Sequence, residues 1–290
     1  MAGLFPDAMT TMRAADSLSA TRLRPGTSLC SRVGTPKGRR QRVILCCHNH
    51  ANPPPSRRDT LLAGVLAPCS CAVCRPRSRW YDDIFASLYS HSMDSYEETL
   101  APRKQKLFAN LQGAKDGATV LEVGVGPGPN LKYYSSKDHK AKVTGLDPNN
   151  GMGPYARATA ESLGLSDFQF VDGYAEEMPF EDGAFDAAVG TLVMCSVEDP
   201  EAALSEVRRV LRPGGRYYFL EHVVGPPGSL LRAGQYVLSP LQQALADGCH
   251  LTRDTLASIR AAGFKDVDAE RFDVEGLSLL APHIAGVATV

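Results

Sequence analysis

From position 119 onward the chain alternates short apolar runs with segments whose apolar residues recur at helical spacing. Thr119–Val123, Lys142–Leu146, Phe168–Val171, Phe185–Val189 and Tyr217–Leu220 read as strands. Between them, Tyr155–Leu163 and Pro200–Leu211 read as helices. In the second helix Ala203, Leu204, Val207, Val210 and Leu211 share one face, while Glu201, Glu206, Arg208 and Arg209 stay in water. Strands that are apolar almost throughout leave no face for solvent, so the sheet is expected to be parallel and covered by helices on both sides. A helix over Thr255–Ala262, ended by Gly263 in the left-handed conformation, precedes strands near Val267–Phe272 and His283–Val290. Upstream, Tyr81 to Gln112 has helical character, with Pro102 expected near a helix start, where its missing N–H costs little. The spacing of Leu231, Tyr236, Val237, Leu238, Leu241 and Leu245 fits a helical cover over a pocket, or packing against the sheet. The expectation is an α/β domain over residues 80–290, built on a seven-stranded, mostly parallel sheet with helices on both faces.

Charge divides the chain at the same boundary. Residues 1–79 hold thirteen Arg or Lys against three acids, and residues 80–290 hold eighteen against twenty-nine, so the net charge of −1 joins a basic arm to an acidic body. An acidic body lacks the basic stripe that nucleic-acid binding needs, so no nucleic-acid partner is expected. The arm is rich in Arg, Ser, Thr and Pro without periodicity, the composition of an organellar transit sequence. Within it, Ser56-Arg57-Arg58 precedes the apolar run Leu61–Ala67 and small residues near Ala72, a layout similar to a twin-arginine export signal in a bipartite plastid sequence. The expected location is the plastid (chloroplast), with the thylakoid lumen as the finer reading and the mitochondrion as the alternative. The apolar run is too short to span a bilayer, so no transmembrane span is expected and membrane contact would be peripheral. Cys69, Cys71 and Cys74 do not have the spacing of a zinc ribbon, and no metal is expected. Cys195 and Cys249, the two cysteines of the body, read as small buried residues beside a pocket, not as nucleophiles.

The densest local signal is Val120-Leu121-Glu122-Val123-Gly124-Val125-Gly126-Pro127-Gly128, an apolar strand running into three glycines spaced two apart. Glycines are needed where a backbone leaves a strand sharply and where a ligand approaches without meeting a Cβ. No Lys-Ser or Lys-Thr follows, so the phosphate-cradling loop of nucleotide triphosphatases is absent. Glu122 before the glycines would repel a pyrophosphate but can serve a cationic amino-acid amine through water. Asp147, ending the second strand, can accept from ribose hydroxyls. These features favour S-adenosyl-L-methionine over a dinucleotide. Asp172 and Glu176, after the third strand, are candidates for the adenine, with small and apolar neighbours to cover the ring.

With these motifs in order, and with Arg209-Val210-Leu211-Arg212-Pro213-Gly214-Gly215 ahead of the fifth strand, the chain resembles the class I, Rossmann-like methyltransferases. The resemblance implies that Gly124, Gly126 and Gly128 line the methionine and ribose, and that Asp147 binds the ribose. It also places Ala175 and Glu176 at the adenine and Thr191, Leu192 and the residues to Met194 beside the transferable methyl. A narrower resemblance, to the methyltransferase-like seven group of thiol methyltransferases and their plant and algal relatives, rests on Gly190–Asp199, Tyr218–Val223, Asp247–Arg253 and Pro282–Gly286. It implies a thiol acceptor, while the apolar cover over Leu231–Leu245 would favour a small or lipophilic one. The broad motif set also resembles ubiquinone-biosynthesis methyltransferases, which keeps O- or C-methylation of a quinone or phenol open, and a non-catalytic S-adenosylmethionine-binding protein is the third reading. His222 and His250 can accept a proton or orient the acceptor, and Asp247 can orient a histidine.

Overall fold

The computed structural model describes residues 79–92, 94–112, 117–134 and 141–290. The targeting readings for the basic arm lie outside the described residues, except for Arg79 at the boundary. The elements in order are α1 (Arg79–Ser92), α2 (Asp94–Gln112), β1 (Thr119–Val123), β2 (Lys142–Asp147), α3 (Met152–Ser162), β3 (Gln169–Asp172), β4 (Phe185–Thr191), α4 (Pro200–Val210), β5 (Leu211–His222), α5 (Leu230–Leu245), α6 (Thr255–Ala261), β6 (Asp266–Asp273) and β7 (Pro282–Thr289).

The strands form one seven-stranded sheet in the order β3-β2-β1-β4-β5-β7-β6. The five strands β1 to β5 pair in parallel, and β7 runs antiparallel to both β5 and β6. The chain leaves β1 toward β2 and β3, then returns to β4 on the other side of β1. That reversal opens a crevice beyond the carboxyl ends of β1 and β4, where ligands of open α/β sheets bind.

Both faces of the sheet are covered. Leu121, Val123, Ala188, Tyr217 and Phe219 pack with α4 and α6 residues such as Leu204, Val207 and Ile259 on one side. Val120, Val189, Tyr218 and Leu220 pack with Leu100, Leu107, Phe108 and Leu111 of α2 on the other. Helix α4 is set by its sequence: the Asp199 carboxylate accepts the Ala202 N–H at 3.0 Å, Pro200 occupies the first turn, and Arg208 and Arg209 lie at the negative end of the dipole.

Three expectations change in detail. The helical stretch from Tyr81 to Gln112 forms two helices, and Pro102 falls inside α2, where the carbonyl of exposed Glu98 is left to water. Helix α3 begins at Met152, because Pro154 is accommodated in its first turn. The apolar residues of α5 do not pack on the sheet: Tyr236, Val237, Leu238, Leu241 and Leu245 are exposed, whereas Gln235 and Ser239 are buried. Gln235 is held on three sides, accepting the Gly225 N–H at 2.7 Å and donating to the carbonyls of Val223 and Leu279. Hydrogen bonding, not burial of carbon, fixes this helix.

Candidate functional site

Gly124, Gly126 and Gly128 all take positive φ, as an abrupt exit from β1 requires. They serve different ends. A Cβ on Gly126 would meet none of the described residues within 4 Å, so the backbone there is bare toward the crevice. A Cβ on Gly128 would lie 2.6 Å from Leu131 Cδ1, and Gly128 does not line the crevice; its backbone turns to let Leu131 and Thr159 pack. The expectation that Gly128 lines a ligand is corrected accordingly. Asp147, at the end of β2, braces the loop: its carboxylate accepts the N–H of Gly126 at 2.9 Å and of Asn149 at 2.8 Å.

The crevice is a cavity of about 1130 Å³. Of the residues singled out in the sequence, Gly124, Gly126, Asp147, Ala175, Glu176, Thr191, Leu192, His222, Asp247 and His250 line it. Asp172 does not: it is exposed and accepts from Asn150 Nδ2 at 3.1 Å. Glu176 lines the wall, but its Oε1 accepts the N–H groups of Glu198 and Asp199, so this carboxylate braces the loop before α4.

Glu122 is displaced from its expected place as well. It lies on the α2 side of β1, fully buried and outside the lining. Its Oε1 accepts from Asn130 Nδ2 at 2.8 Å. Burial pushes its carboxyl up to about 7, against the Asn130 hydrogen bond and the charge of Lys104. Asn130, to which no sequence motif assigns a role, is the link between Glu122 and the cavity. Its amide also reaches Thr191 Oγ1 at 2.8 Å, and its carbonyl oxygen accepts from buried Lys104, which is paired with Glu97. The signal was present as an amide directly after the glycine loop, but its partners are distant in sequence.

The opposite wall is built by β4, β5 and the segment after α5. Leu192 takes φ +58, a costly conformation for leucine, as the chain turns off β4. The turn is held from below by buried Glu221, whose Oε1 accepts the N–H groups of Val193 and Met194 at 3.1 Å. Burial raises the Glu221 carboxyl to about 7 despite those bonds. Beyond the turn, the ligand atoms of Cys195, His222 and Cys249 lie within 4.8 Å of one another, all three residues buried. His222 Nε2 is 3.1 Å from Cys249 Sγ, and among the described residues His222 Nδ1 has no hydrogen-bond partner. The Cys249 thiol is lowered by its hydrogen bond with Cys195, with His222 assisting against burial, and the Cys195 thiol is correspondingly raised. His250 is lowered by burial and by Arg253, so its imidazole is neutral near pH 7 and can accept a proton.

Two loops are stitched together here. The N–H of His250 donates to the Cys195 carbonyl at 2.8 Å, and Arg253 Nη1 donates to the Met194 carbonyl at 2.6 Å. Tyr81 and Phe85 of α1 and Tyr96 of α2 add an aromatic rim not foreseen from the sequence; Tyr81 and Phe85 are four residues apart and stack at 6.0 Å. Asp247 lies on the lining with φ +47.

Residues 121–219 match the family model described as a methyltransferase domain. The chain is 36% identical over 237 residues to thiol S-methyltransferase TMT1B of Rattus norvegicus, covering 79% of this chain and 93% of that protein. It is 38% identical over 199 residues to thiol S-methyltransferase TMT1A of Homo sapiens, covering 67% and 80%. Among solved structures, a SAM-dependent methyltransferase of Thermotoga maritima superposes with a TM-score of 0.52 at 22% identity, over 72% of this chain and 99% of that one, a likeness of fold.

Proposed function

Because the chain belongs to the class I S-adenosylmethionine-dependent methyltransferases and is related to the thiol S-methyltransferases, we propose that the small acceptor methylated by this enzyme is a thiol. The enzyme transfers a methyl group from S-adenosylmethionine to a small acceptor. When bound, the cofactor supplies a methyl group already electrophilic on a sulfonium, so the protein mainly has to orient it and set the surrounding charge.

The bare backbone at Gly126 and the braced Asp147 fit that cofactor. Gly124 and Gly126 would hold the methionine and ribose part, Asp147 the ribose, Ala175 the adenine side, and Thr191 and Leu192 the neighbourhood of the methyl. Glu122 acts as a positioning residue, fixing Asn130 and through it Thr191. Gly128 contributes packing, and Asp172 has no role in the cavity wall.

The observation that carries the thiol reading is the wall facing this cradle. It is sulfur-rich, with the neutral imidazole of His250 available to take the proton of an incoming thiol, whose ionisation near neutrality is far easier than an alcohol's. Turnover of a small alkanethiol by the purified enzyme, compared with a quinol and a phenol under the same conditions, tests it. Methylation of the quinol alone sinks the thiol assignment in favour of O- or C-methylation of a lipophilic metabolite.

Among the described residues no helix is long and apolar enough to cross a membrane. The exposed apolar side chains of α5 support peripheral contact with a lipid surface. The basic arm of residues 1–79 supports import into an organelle, the plastid in the first instance, with Arg57-Arg58 serving lumenal export. Residues 1–79 fused to a fluorescent protein should accumulate in plastids; uniform cytosolic fluorescence would overturn that address.

A further inference from the structure

We propose that Cys195, His222 and Cys249 form a binding site for a thiophilic divalent cation of the zinc type, with its fourth coordination position open to the cavity. Two sulfurs and an imidazole nitrogen are the donor set such an ion prefers, and three protein ligands with one open position distinguish a catalytic site from a closed structural one. The ligand atoms lie within 4.8 Å of one another, and every one of the three residues is both buried and part of the cavity lining.

The three donors come from separate segments that the fold fixes independently. His222 is the last residue of β5, paired in register with His283 of β7. Cys195 follows the strained turn held by Glu221. Cys249 belongs to the segment after α5, where Ser239 Oγ accepts the Leu251 N–H at 3.3 Å and His250 ties back to the Cys195 carbonyl at 2.8 Å. A site already braced in this way loses little entropy when the ion enters.

The charges also fit. Two thiolates neutralise a dication, and half-buried Arg253, electrostatically coupled to both cysteines, matches the one further negative charge that an acceptor thiolate would bring. The ion's part in catalysis rests on the thiol reading given above. The acceptor thiol would bind at the open position and release its proton through water to solvent. Its sulfur lone pair forms the new S–CH3 bond as the CH3–S⁺ bond of the donor breaks, that electron pair remaining on the sulfur of S-adenosylhomocysteine. The product is a neutral thioether, a poorer ligand than a thiolate, and it departs.

Full-length enzyme, purified under reducing anaerobic conditions and stripped with a chelator, is titrated with Co²⁺ and then with Zn²⁺. The expected result is one equivalent bound, with a thiolate-to-cobalt charge-transfer band and the intense visible bands of a tetrahedral site, both erased by Zn²⁺. Cys195→Ser and Cys249→Ser should each weaken Zn²⁺ binding by more than about tenfold while S-adenosylmethionine binding and thermal unfolding report an intact fold. Absence of the charge-transfer band, equal Zn²⁺ affinity in the serine variants, or recovery of a metal-free Cys195–Cys249 disulfide under these conditions overturns the site.

Addition of a small alkanethiol to the cobalt form should shift the visible bands, and unshifted bands overturn the coordination of the acceptor. Undiminished thiol turnover by the stripped enzyme overturns the ion's role in catalysis. Turnover of a quinol alone, with the cobalt spectrum intact, removes the thiol reading and leaves the metal site standing.

Discussion

The two walls of the cavity are made in different ways. The cofactor wall is local: the loop from Gly124 to Gly128 follows directly from β1, and its main brace is Asp147 at the end of the neighbouring strand. The acceptor wall collects Cys195, His222 and Cys249 from three segments, with His222 and Cys249 alone 27 residues apart. The first wall recognises a ligand through backbone left bare, and the second through side chains crowded together. A wall of the first kind tolerates change in side chains but not the addition of a Cβ, whereas the second kind should behave in the opposite way.

The largest expected effect tests where the walls meet. A Cβ on Gly124, at φ +67, would lie 2.5 Å from Val193 Cγ2, a residue of the acceptor-side turn. Gly124→Ala combines left-handed strain with overpacking and should destabilise the fold by about 4 kcal/mol, read by denaturant unfolding. Adding Val193→Ala should return part of that loss. No recovery at all would mean that the walls are not in contact through this pair.

Next comes the brace. Asp147→Ala removes the acceptor for two backbone N–H groups, those of Gly126 and Asn149. Asp147 is also the acceptor assigned to the ribose, and a hydrogen bond to a charged group is worth about 1.5–3 kcal/mol, so losing that contact together with the brace should lower S-adenosylmethionine affinity by calorimetry about 100-fold, with Zn²⁺ affinity unchanged. Equal losses at both sites would erase the distinction between the walls.

A third, somewhat smaller effect concerns the buried acid behind the cofactor wall. The Glu122 carboxyl is raised from 4.5 to about 7 in the folded chain. Between those values the folded chain keeps a proton that the unfolded chain has released, so stability falls as pH rises through the window and levels off above it. Glu122→Gln has no such proton to lose. Its stability relative to the parent should rise by about 2–3 kcal/mol from pH 4.5 to 8, measured by denaturant unfolding, whereas parallel curves would show that the burial cost is offset elsewhere.

What was legible in the sequence follows the same division. The strand-glycine run and the periodicity of α4 are written in neighbouring residues, and the sheet they imply forms as expected, including the left-handed Gly263 that closes α6. Within the loop, however, sequence could not separate Gly126, which faces the cavity, from Gly128, which makes room for Leu131, because the difference lies in what stands opposite each Cα. Glu122 and Asp172 do not line the cavity, for a reason of the same kind: strand alternation puts one on the α2 side of the sheet, and the end of β3 leaves the other exposed. Nothing in the spacing of Cys195, His222 and Cys249 foretells a cluster, since their proximity is a product of the pairing of β4 with β5 and of the return after α5.

The smallest expected effect on stability falls on α5, the helix that inverts the usual rule. Val237 and Leu241 are 76% and 57% exposed, so the double change Val237→Ser and Leu241→Ser removes little buried carbon. Its effect on unfolding should stay within about 0.5 kcal/mol, as for surface substitutions generally. By contrast, Gln235→Leu adds carbon to a buried position but strands the Gly225 N–H and two carbonyls, and should cost about 2 kcal/mol or more. If the exposed face meets a lipid surface, the double serine variant should sediment with anionic vesicles several-fold less than the parent while still binding S-adenosylmethionine. A serine pair that costs as much as Gln235→Leu would show instead that Val237 and Leu241 are packed in solution, leaving the acceptor wall without a lipid-facing side.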